Sequence, residues 1–287
     1  MPETVPGTLF VVGLPIGNVR DITYRAVDVL SHVAIIAAED TRTTGRLLGE
    51  HHISTPTVSY HDFNEQTRTR HLLDRLLSGQ DVALVSEAGT PLVNDPGYRI
   101  VVAAIEAGIR VTSIPGACAA VTALVASGLP ANRFLFVGFP PRTSARRIAW
   151  YATLRAESAT LILYEAPHRL VASLKDMYGT LGDRRACVAA SITKEWESYV
   201  RGSVTSILEQ LEQREQIRGE HTIIVAGAAE QHRQDDEDGD AAYVEEMAEA
   251  GLDSRTMLDR LQSERGMRRR DAYALILRVT SELTLNT

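Results

Sequence analysis

Short aliphatic runs alternate with stretches whose apolar positions recur every three to four residues over most of the first 227 positions. Thr8-Leu9-Phe10-Val11-Val12 predicts a strand that stops at Gly13, and Asp21 predicts an N-cap with Ile22, Ala26, Val29 and Leu30 at helical spacing behind it. Residues 34–37, 82–85 and 111–114 predict further strands, while Leu72, Leu73, Leu76 and Leu77 form a helical stripe ended by Gly79. A second cycle begins near Phe134, with strands expected at 134–139, 160–164, 186–190 and 222–226. Continuous apolar strands between amphipathic helices imply an α/β fold with mainly parallel sheets covered on both faces.

Pro130-Ala131-Asn132, and then Pro140-Pro141, interrupt the helical pattern and place a boundary near residue 131. An N-terminal αβα domain over 1–130 and a C-terminal one over 131–227 are therefore expected. After Gly227 the composition shifts. Asp235-Asp236-Glu237-Asp238-Gly239-Asp240 has no core-forming residue and reads as a flexible acidic linker over 228–242. Helical periodicity returns over 243–287, where Met257, Leu258 and Leu261 precede a turn at Gly266 and Ala272, Leu275, Ile276 and Val279 follow it. That pattern predicts a small helix-turn-helix-like appendage.

A chain of 287 residues that is 44% hydrophobic and 23% charged is not wholly disordered. No apolar run approaches the ~20 residues of a membrane span. Met1-Pro2-Glu3-Thr4-Val5-Pro6 lacks the basic start of a signal peptide, so a soluble, cytoplasmic protein with no membrane partner is expected. Cys118 and Cys187 stand alone and the eight His have no ligand spacing, so no metal is expected. Neither a GxSxG elbow nor a Walker loop is present, against a serine hydrolase or a P-loop phosphotransferase. The net charge of −7 is uneven: 1–227 sum to −1, 228–250 to −8 and 251–287 to +2. Most of the chain is thus compatible with a polyanionic partner.

Ligands of doubly wound sheets bind beyond the carboxyl ends of the strands. There the sequence places Gly13-Leu14-Pro15-Ile16-Gly17-Asn18, then Glu39-Asp40-Thr41-Arg42, then a long loop from Ser86 to Gly97 that holds two Pro, two Gly and the carboxylates Glu87 and Asp95. Pro115-Gly116-Ala117-Cys118-Ala119-Ala120 turns into a small-residue helix. Small residues let backbone groups approach a ligand closely. The second half adds Glu165-Ala166-Pro167-His168-Arg169, Thr193-Lys194-Glu195 and Gly219-Glu220-His221-Thr222. A helix cap at Asp40 or Thr41, or a surface His168, would explain parts of this without function.

Taken together, TLFVVGLPIGN, DITYRAVDVL, IAAEDTR, HDFNEQ, ALVSEAGTPLVNDPG, PGACAAVTAL, YEAPHRL, TKEWE and RGEHTIIVAG resemble the tetrapyrrole methylase superfamily over residues 8–227, and within it the branch acting on ribosomal RNA. The resemblance implies two αβα domains with S-adenosylmethionine folded into the cleft between them. It also implies homodimers and methylation of the 2′-hydroxyl of cytidine 1402 in 16S rRNA of the 30S subunit. Carried onto this chain, the cofactor contacts are Pro15; Ser86, Glu87, Ala88, Gly89, Thr90 and Pro91; Val93; Pro115, Gly116, Ala119 and Ala120; Leu163 and Tyr164; and Glu220, His221 and Thr222. The chain departs from the family at Glu87, where Asp is usual, and at Ala190-Ser191-Ile192, where Arg, Glu and Leu are usual.

A ribose hydroxyl attacks a methyl group well only if its proton is removed or polarised. Glu39, Asp40 and Lys194 are the candidate bases, with Arg42 beside them. Arg42, His168 and Arg169 suit phosphate or ribose contacts, and Arg265, Arg268, Arg269 and Arg270 suit the RNA backbone. A small-molecule tetrapyrrole C-methyltransferase on the same fold and a non-catalytic, DNA-binding ligand sensor are the alternatives.

Overall fold

In a computed structural model the structure describes residues 5–228 and 230–285, with the backbone alone for 230–238 and 282–285. Met1 to Thr4, on which part of the N-terminal reading rests, lie outside the described residues. The chain divides into two compact units, Met1–Ala123 with Ala190–Ser198, and Leu124–Ala189 with Tyr199–Thr287. The expected break at residue 131 falls instead inside a helix seven residues earlier, and a short returning segment joins the first unit.

The first unit runs β1 (Thr8–Val12), α1 (Tyr24–His32), β2 (Ile35–Ala38), α2 (Thr41–Glu50), β3 (Thr57–Ser59), α3 (Glu65–Leu77), β4 (Val82–Val85), α4 (Tyr98–Glu106), β5 (Arg110–Ile114) and the start of α5 (Ala119–Ser127). Its five strands lie in the order β3-β2-β4-β1-β5, and each neighbouring pair is parallel. The two-residue period of a strand sends alternate side chains to opposite faces. Leu9, Val11, Ile35, Ala37, Val82 and Leu84 pack with Leu72, Leu76, Ile100 and Ala104 of α3 and α4. Val12, Ile36, Ala38, Ala83 and Val85 pack with Ala26, Leu30 and Leu48 of α1 and α2. Both faces are therefore covered. Asp21 ends a single 3₁₀ turn and does not cap α1; Thr23 does, its hydroxyl accepting from the Ala26 N–H at 3.1 Å. β3 has three residues at the sheet edge, too few to carry a periodic signal.

The second unit continues with β6 (Phe134–Gly138), α6 (Ser144–Ala152), β7 (Thr160–Glu165), α7 (Leu170–Leu181), β8 (Arg185–Ala190), β9 (Ser198–Ser203), α8 (Val204–Glu212) and β10 (His221–Val225). Its sheet order is β6-β7-β10-β8-β9. β6 is parallel to β7, but β10 runs antiparallel to β7, so this sheet is mixed where a mainly parallel one was expected. An apolar run such as that of β10 is buried in either direction, and strand polarity leaves no trace in composition. β9 escaped prediction because its polar sequence, SYVRGS, buries only Val200. Leu161, Leu163, Val188, Val200, Ile223 and Val225 meet α6, α7 and α8 in one core.

The acidic run expected to be a flexible linker lies within α9 (Glu230–Glu249). Its C-terminal half carries Val244 and Met247, which are buried with Met257, Leu258 and Leu261 of α10 (Ser254–Glu264) and Ala272, Ile276 and Val279 of α11 (Arg269–Leu285). Helix formation is cooperative, so a helix anchored by that core extends back through the polar sequence that precedes it. Among the described residues no helix is long and apolar enough to cross a membrane.

Candidate functional site

The loops beyond β1, β4 and β5 are tied together by backbone. Gly13 N–H donates to the Ile114 carbonyl at 3.1 Å, and Leu14 N–H donates to the Gly89 carbonyl at 2.8 Å. Gly13 and Gly116 meet face to face: a Cβ on Gly116 would lie 2.6 Å from the Gly13 carbonyl carbon. Gly89 has φ +77°, open to glycine and costly for other residues. Thr90 hydroxyl donates to the Ala117 carbonyl at 3.1 Å, and the Ser86 hydroxyl, 1% exposed, turns back on the Ala88 carbonyl at 3.2 Å. Pro15, Gly89, Pro91 and Ala120 are buried, Val93, Gly116 and Ala119 half-buried, and Glu87, Ala88 and Pro115 exposed. Leu92 and Asn94 also hold positive φ, at 70° and 71°. The expected cofactor contacts of this unit thus belong to one knot of loops at one sheet edge.

An acidic corner borders that knot. The Glu39 carboxylate accepts from the Glu87 N–H at 3.2 Å, linking the end of β2 to the loop after β4. Asp40 caps α2, accepting from the backbone N–H groups of Arg42 at 2.7 Å and Thr43 at 3.3 Å, and pairs with the Arg42 guanidinium at 3.2 Å. The Arg42 bonds hold the Asp40 carboxyl below its usual range. A carboxylate so engaged is a helix cap first and a weak proton acceptor. Asp95 is different: burial, then the charge of Glu39, pushes it up to about 6, a Ser86 hydrogen bond opposes the rise, and Glu87 and Asp62 add to it. Asp95 lies within the predicted loop but was not among the candidate bases. Its signal exists only once the fold brings β2 and β4 side by side.

Residues 191–197 fold onto the loop after β1. Asn18 N–H donates to the Thr193 hydroxyl at 3.1 Å, and a Cβ on Gly17 would fall 2.7 Å from the Lys194 Cγ. The Lys194 stem therefore lies against the glycine. Ser191 and Thr193 adopt positive φ (51° and 66°), and the Glu197 carboxylate accepts from the Thr193 N–H.

In the second unit the end of β7 pairs with the start of β10: Glu165 stands opposite His221 and Tyr164 opposite Thr222. Leu163, His221 and Thr222 are buried, Tyr164 is half-buried between Phe136 and Phe139, and Glu220 is exposed. Burial, followed by the charge of Arg214, lowers the His221 pKa and keeps the ring neutral. Glu165, 1% exposed, forms an ion pair with Arg169 at 3.1 Å, and the same guanidinium donates to the Pro140 and Pro141 carbonyls at 2.6 and 3.1 Å. Arg169, expected to contact RNA, is thus committed to holding the turn after β6. His168 is exposed.

The tail arginines divide into two pairs. Arg265 reaches Asp240 at 3.8 Å and lies 4.9 Å above the Tyr243 ring, while Arg268 pairs with Asp271 at 2.8 Å. Arg269 and Arg270 are in no ion pair among the described residues. Among those residues, too, no cluster of His, Cys, Asp and Glu could hold a metal ion.

A family model described as Tetrapyrrole (Corrin/Porphyrin) Methylases matches residues 8–208. The chain belongs to this family. Among curated tetrapyrrole-methylase relatives, it is 46% identical over 271 residues to "Ribosomal RNA small subunit methyltransferase I" of Micromonospora olivasterospora, covering 94% of this chain and 87% of that one. It is 47% identical over 234 residues to the protein of the same name from Escherichia coli O157:H7, covering 81% and 80%. Among solved structures, a uroporphyrin-III-C-methyltransferase from Thermus thermophilus superposes with TM-score 0.54 at 22% identity, over 77% of this chain and 94% of that one. A diphthine synthase superposes with TM-score 0.59 at 16% identity, over 79% and 93%. At such identities the two structures speak for the tetrapyrrole methylase fold alone.

Proposed function

We propose that the protein methylates the ribose 2′-hydroxyl of cytidine 1402 in 16S rRNA of the 30S subunit, with S-adenosylmethionine as donor, and acts as a homodimer in the cytoplasm. The 46% identity to a ribosomal RNA small subunit methyltransferase I over 94% of the chain carries this reading. The tetrapyrrole alternative rests on the family description and on a fold-level likeness at 22% identity.

The loop knot suits S-adenosylmethionine on its own chemistry. The close-packed Gly13 and Gly116 and the positive φ of Gly89 bring main-chain groups, not side chains, to the strand ends. Glu39, Glu87 and Asp95 make the border acidic, which favours a cationic ligand and repels a nucleotide triphosphate. Pro15, Ser86, Glu87, Ala88, Gly89, Thr90, Pro91, Val93, Pro115, Gly116, Ala119 and Ala120 would hold it, and the family resemblance adds Leu163, Tyr164, Glu220, His221 and Thr222. When bound, the group supplies an electrophilic methyl on a sulfonium leaving group.

The chain's own task is to align the ribose hydroxyl and receive its proton. Asp95 replaces Asp40 as the preferred acceptor, because its raised affinity for a proton suits that role at neutral pH, with Glu39 beside it. Lys194, whose stem lies against Gly17 in the loop after β1, is kept as a further candidate base. Asp40 and Arg42 hold the head of α2. The test is methyl transfer to 30S subunits lacking the mark, with the modified nucleotide mapped by primer extension and uroporphyrinogen assayed in parallel. A 2′-O-methyl mark at the single cytidine is expected; transfer to the tetrapyrrole alone would overturn the reading.

A further inference from the structure

Arg269 and Arg270, the first two residues of α11, line a cavity of about 650 Å³ together with Ser254 and Arg255, the first two of α10, and with Leu258 and Tyr273. That volume lies within the ~300–1,000 Å³ of small-ligand sites. Leu258 is buried and ties the cavity to the appendage core, whereas the Tyr273 ring is 54% exposed. Among the described residues no carboxylate lines the cavity. Of the carboxylates that adjoin lining residues in sequence, Asp253 caps α10 through the Thr256 N–H at 2.8 Å and lies in the field of Arg255, and Asp271 pairs with Arg268. Two helix N-termini add their positive ends to three guanidinium groups.

We propose that this cavity is a nucleotide subsite of the appendage, in which an unpaired RNA base stacks on Tyr273 while Arg255, Arg269 and Arg270 hold the flanking phosphates. The inference rests on the ribosomal RNA reading above and assigns it a second contact, made by residues other than those of the loop knot. An apolar floor, an exposed ring and a cationic rim together fit single-stranded RNA, whose bases are free to stack. The deep, narrow major groove of duplex RNA gives a helix-turn-helix no base edges to read. The division of the tail arginines supports the same site. Among the described residues Arg265 and Arg268 pair with Asp240 and Asp271, whereas Arg269 and Arg270 line the cavity.

The experiment measures binding of a fluorescein-labelled single-stranded oligoribonucleotide and of a DNA duplex to the full-length protein by anisotropy at several salt concentrations. Tyr273→Ala is expected to weaken oligoribonucleotide binding about tenfold with little change in salt slope. Tyr273→Phe is expected to bind as the parent does. Arg269→Gln/Arg270→Gln is expected to make the slope shallower by about 1.4, at ~0.7 per phosphate contact on a single strand. Because these side chains are exposed, thermal midpoints report folding independently. Oligoribonucleotide affinity of Tyr273→Ala within twofold of the parent would overturn the proposal, as would a larger loss on duplex DNA. Methyl transfer to 30S subunits is run alongside. Transfer by the parent with no Tyr273 effect on binding removes the subsite and leaves the function; a Tyr273-dependent site without transfer does the reverse.

Discussion

Gly13 and Gly116 pack backbone against backbone, so that a Cβ on Gly13 would come 2.8 Å from the Gly116 Cα and one on Gly116 would come 2.6 Å from the Gly13 carbonyl. Neither partner has a flexible side chain that could yield. Gly116→Ala is expected to cost about 1–3 kcal/mol, the usual range for overpacking. Gly13→Ala is expected to cost a similar amount, and the double variant less than their sum because both break one contact. Urea denaturation of the three proteins checks this, and strict additivity would contradict the shared contact.

Gly89→Val is expected to abolish S-adenosylmethionine binding while the protein stays folded. The backbone at φ +77° resists a β-branched residue, and the added Cβ would press on the Ile16 Cγ2 at 3.2 Å. Titration calorimetry beside circular dichroism decides it. Parent affinity in a folded variant would mean the loop can re-form without its glycine.

Asp95 makes stability depend on pH in a defined sense. Its folded pKa of about 6 lies above the ordinary 3.8, so the stabilising contribution of the protonated form is complete below pH ~4 and is lost as pH rises through about 6. Asp95→Asn is therefore expected to gain about 1 kcal/mol over the parent at pH 7.5, after allowance for solvent screening of a half-buried site, and to show no gain from this source at pH 4. The methyl-transfer rate of the parent should rise with pH through the same region, and that limb should vanish in Asp95→Asn. A pH-independent difference in melting temperature would contradict the assignment.

Arg169→Met leaves the buried Glu165 carboxylate without its partner, and removing one member of a buried pair costs about 3–5 kcal/mol. A large drop in unfolding free energy is expected, partly recovered in Glu165→Gln/Arg169→Met. The salt slope of RNA binding should not change, since the guanidinium serves Pro140 and Pro141. A shallower slope at parent stability would return Arg169 to the RNA surface.

Much of the first unit is legible in its hydrophobic pattern. Thr8 to Val12, residues 34–37 and Val82 to Val85 alternate between two apolar faces because the sheet is covered on both sides, and the strands appear within one residue of expectation. The motifs at the strand ends are legible too, since Gly, Pro and Ala are required where chains cross closely. β3 and β9 left too short or too polar a trace, and Thr23 displaced Asp21 as the cap because an intervening 3₁₀ turn used the earlier position.

By itself the sequence determined the class of fold, the Gly- and Pro-rich loops at the strand ends and the family, because each depends on residue type and local spacing. Only the tertiary structure decided what the charged groups do. Asp40 and Arg42, near in sequence to Glu39, close a helix end, while Asp95 is driven up in pKa by burial and then by the Glu39 carboxylate at the end of β2. Arg169 is drawn into a buried pair, and of the four clustered tail arginines Arg269 and Arg270 line the cavity beside α10. The role of a charge is set by burial and by neighbours distant in the chain, and neither is present until the chain has folded.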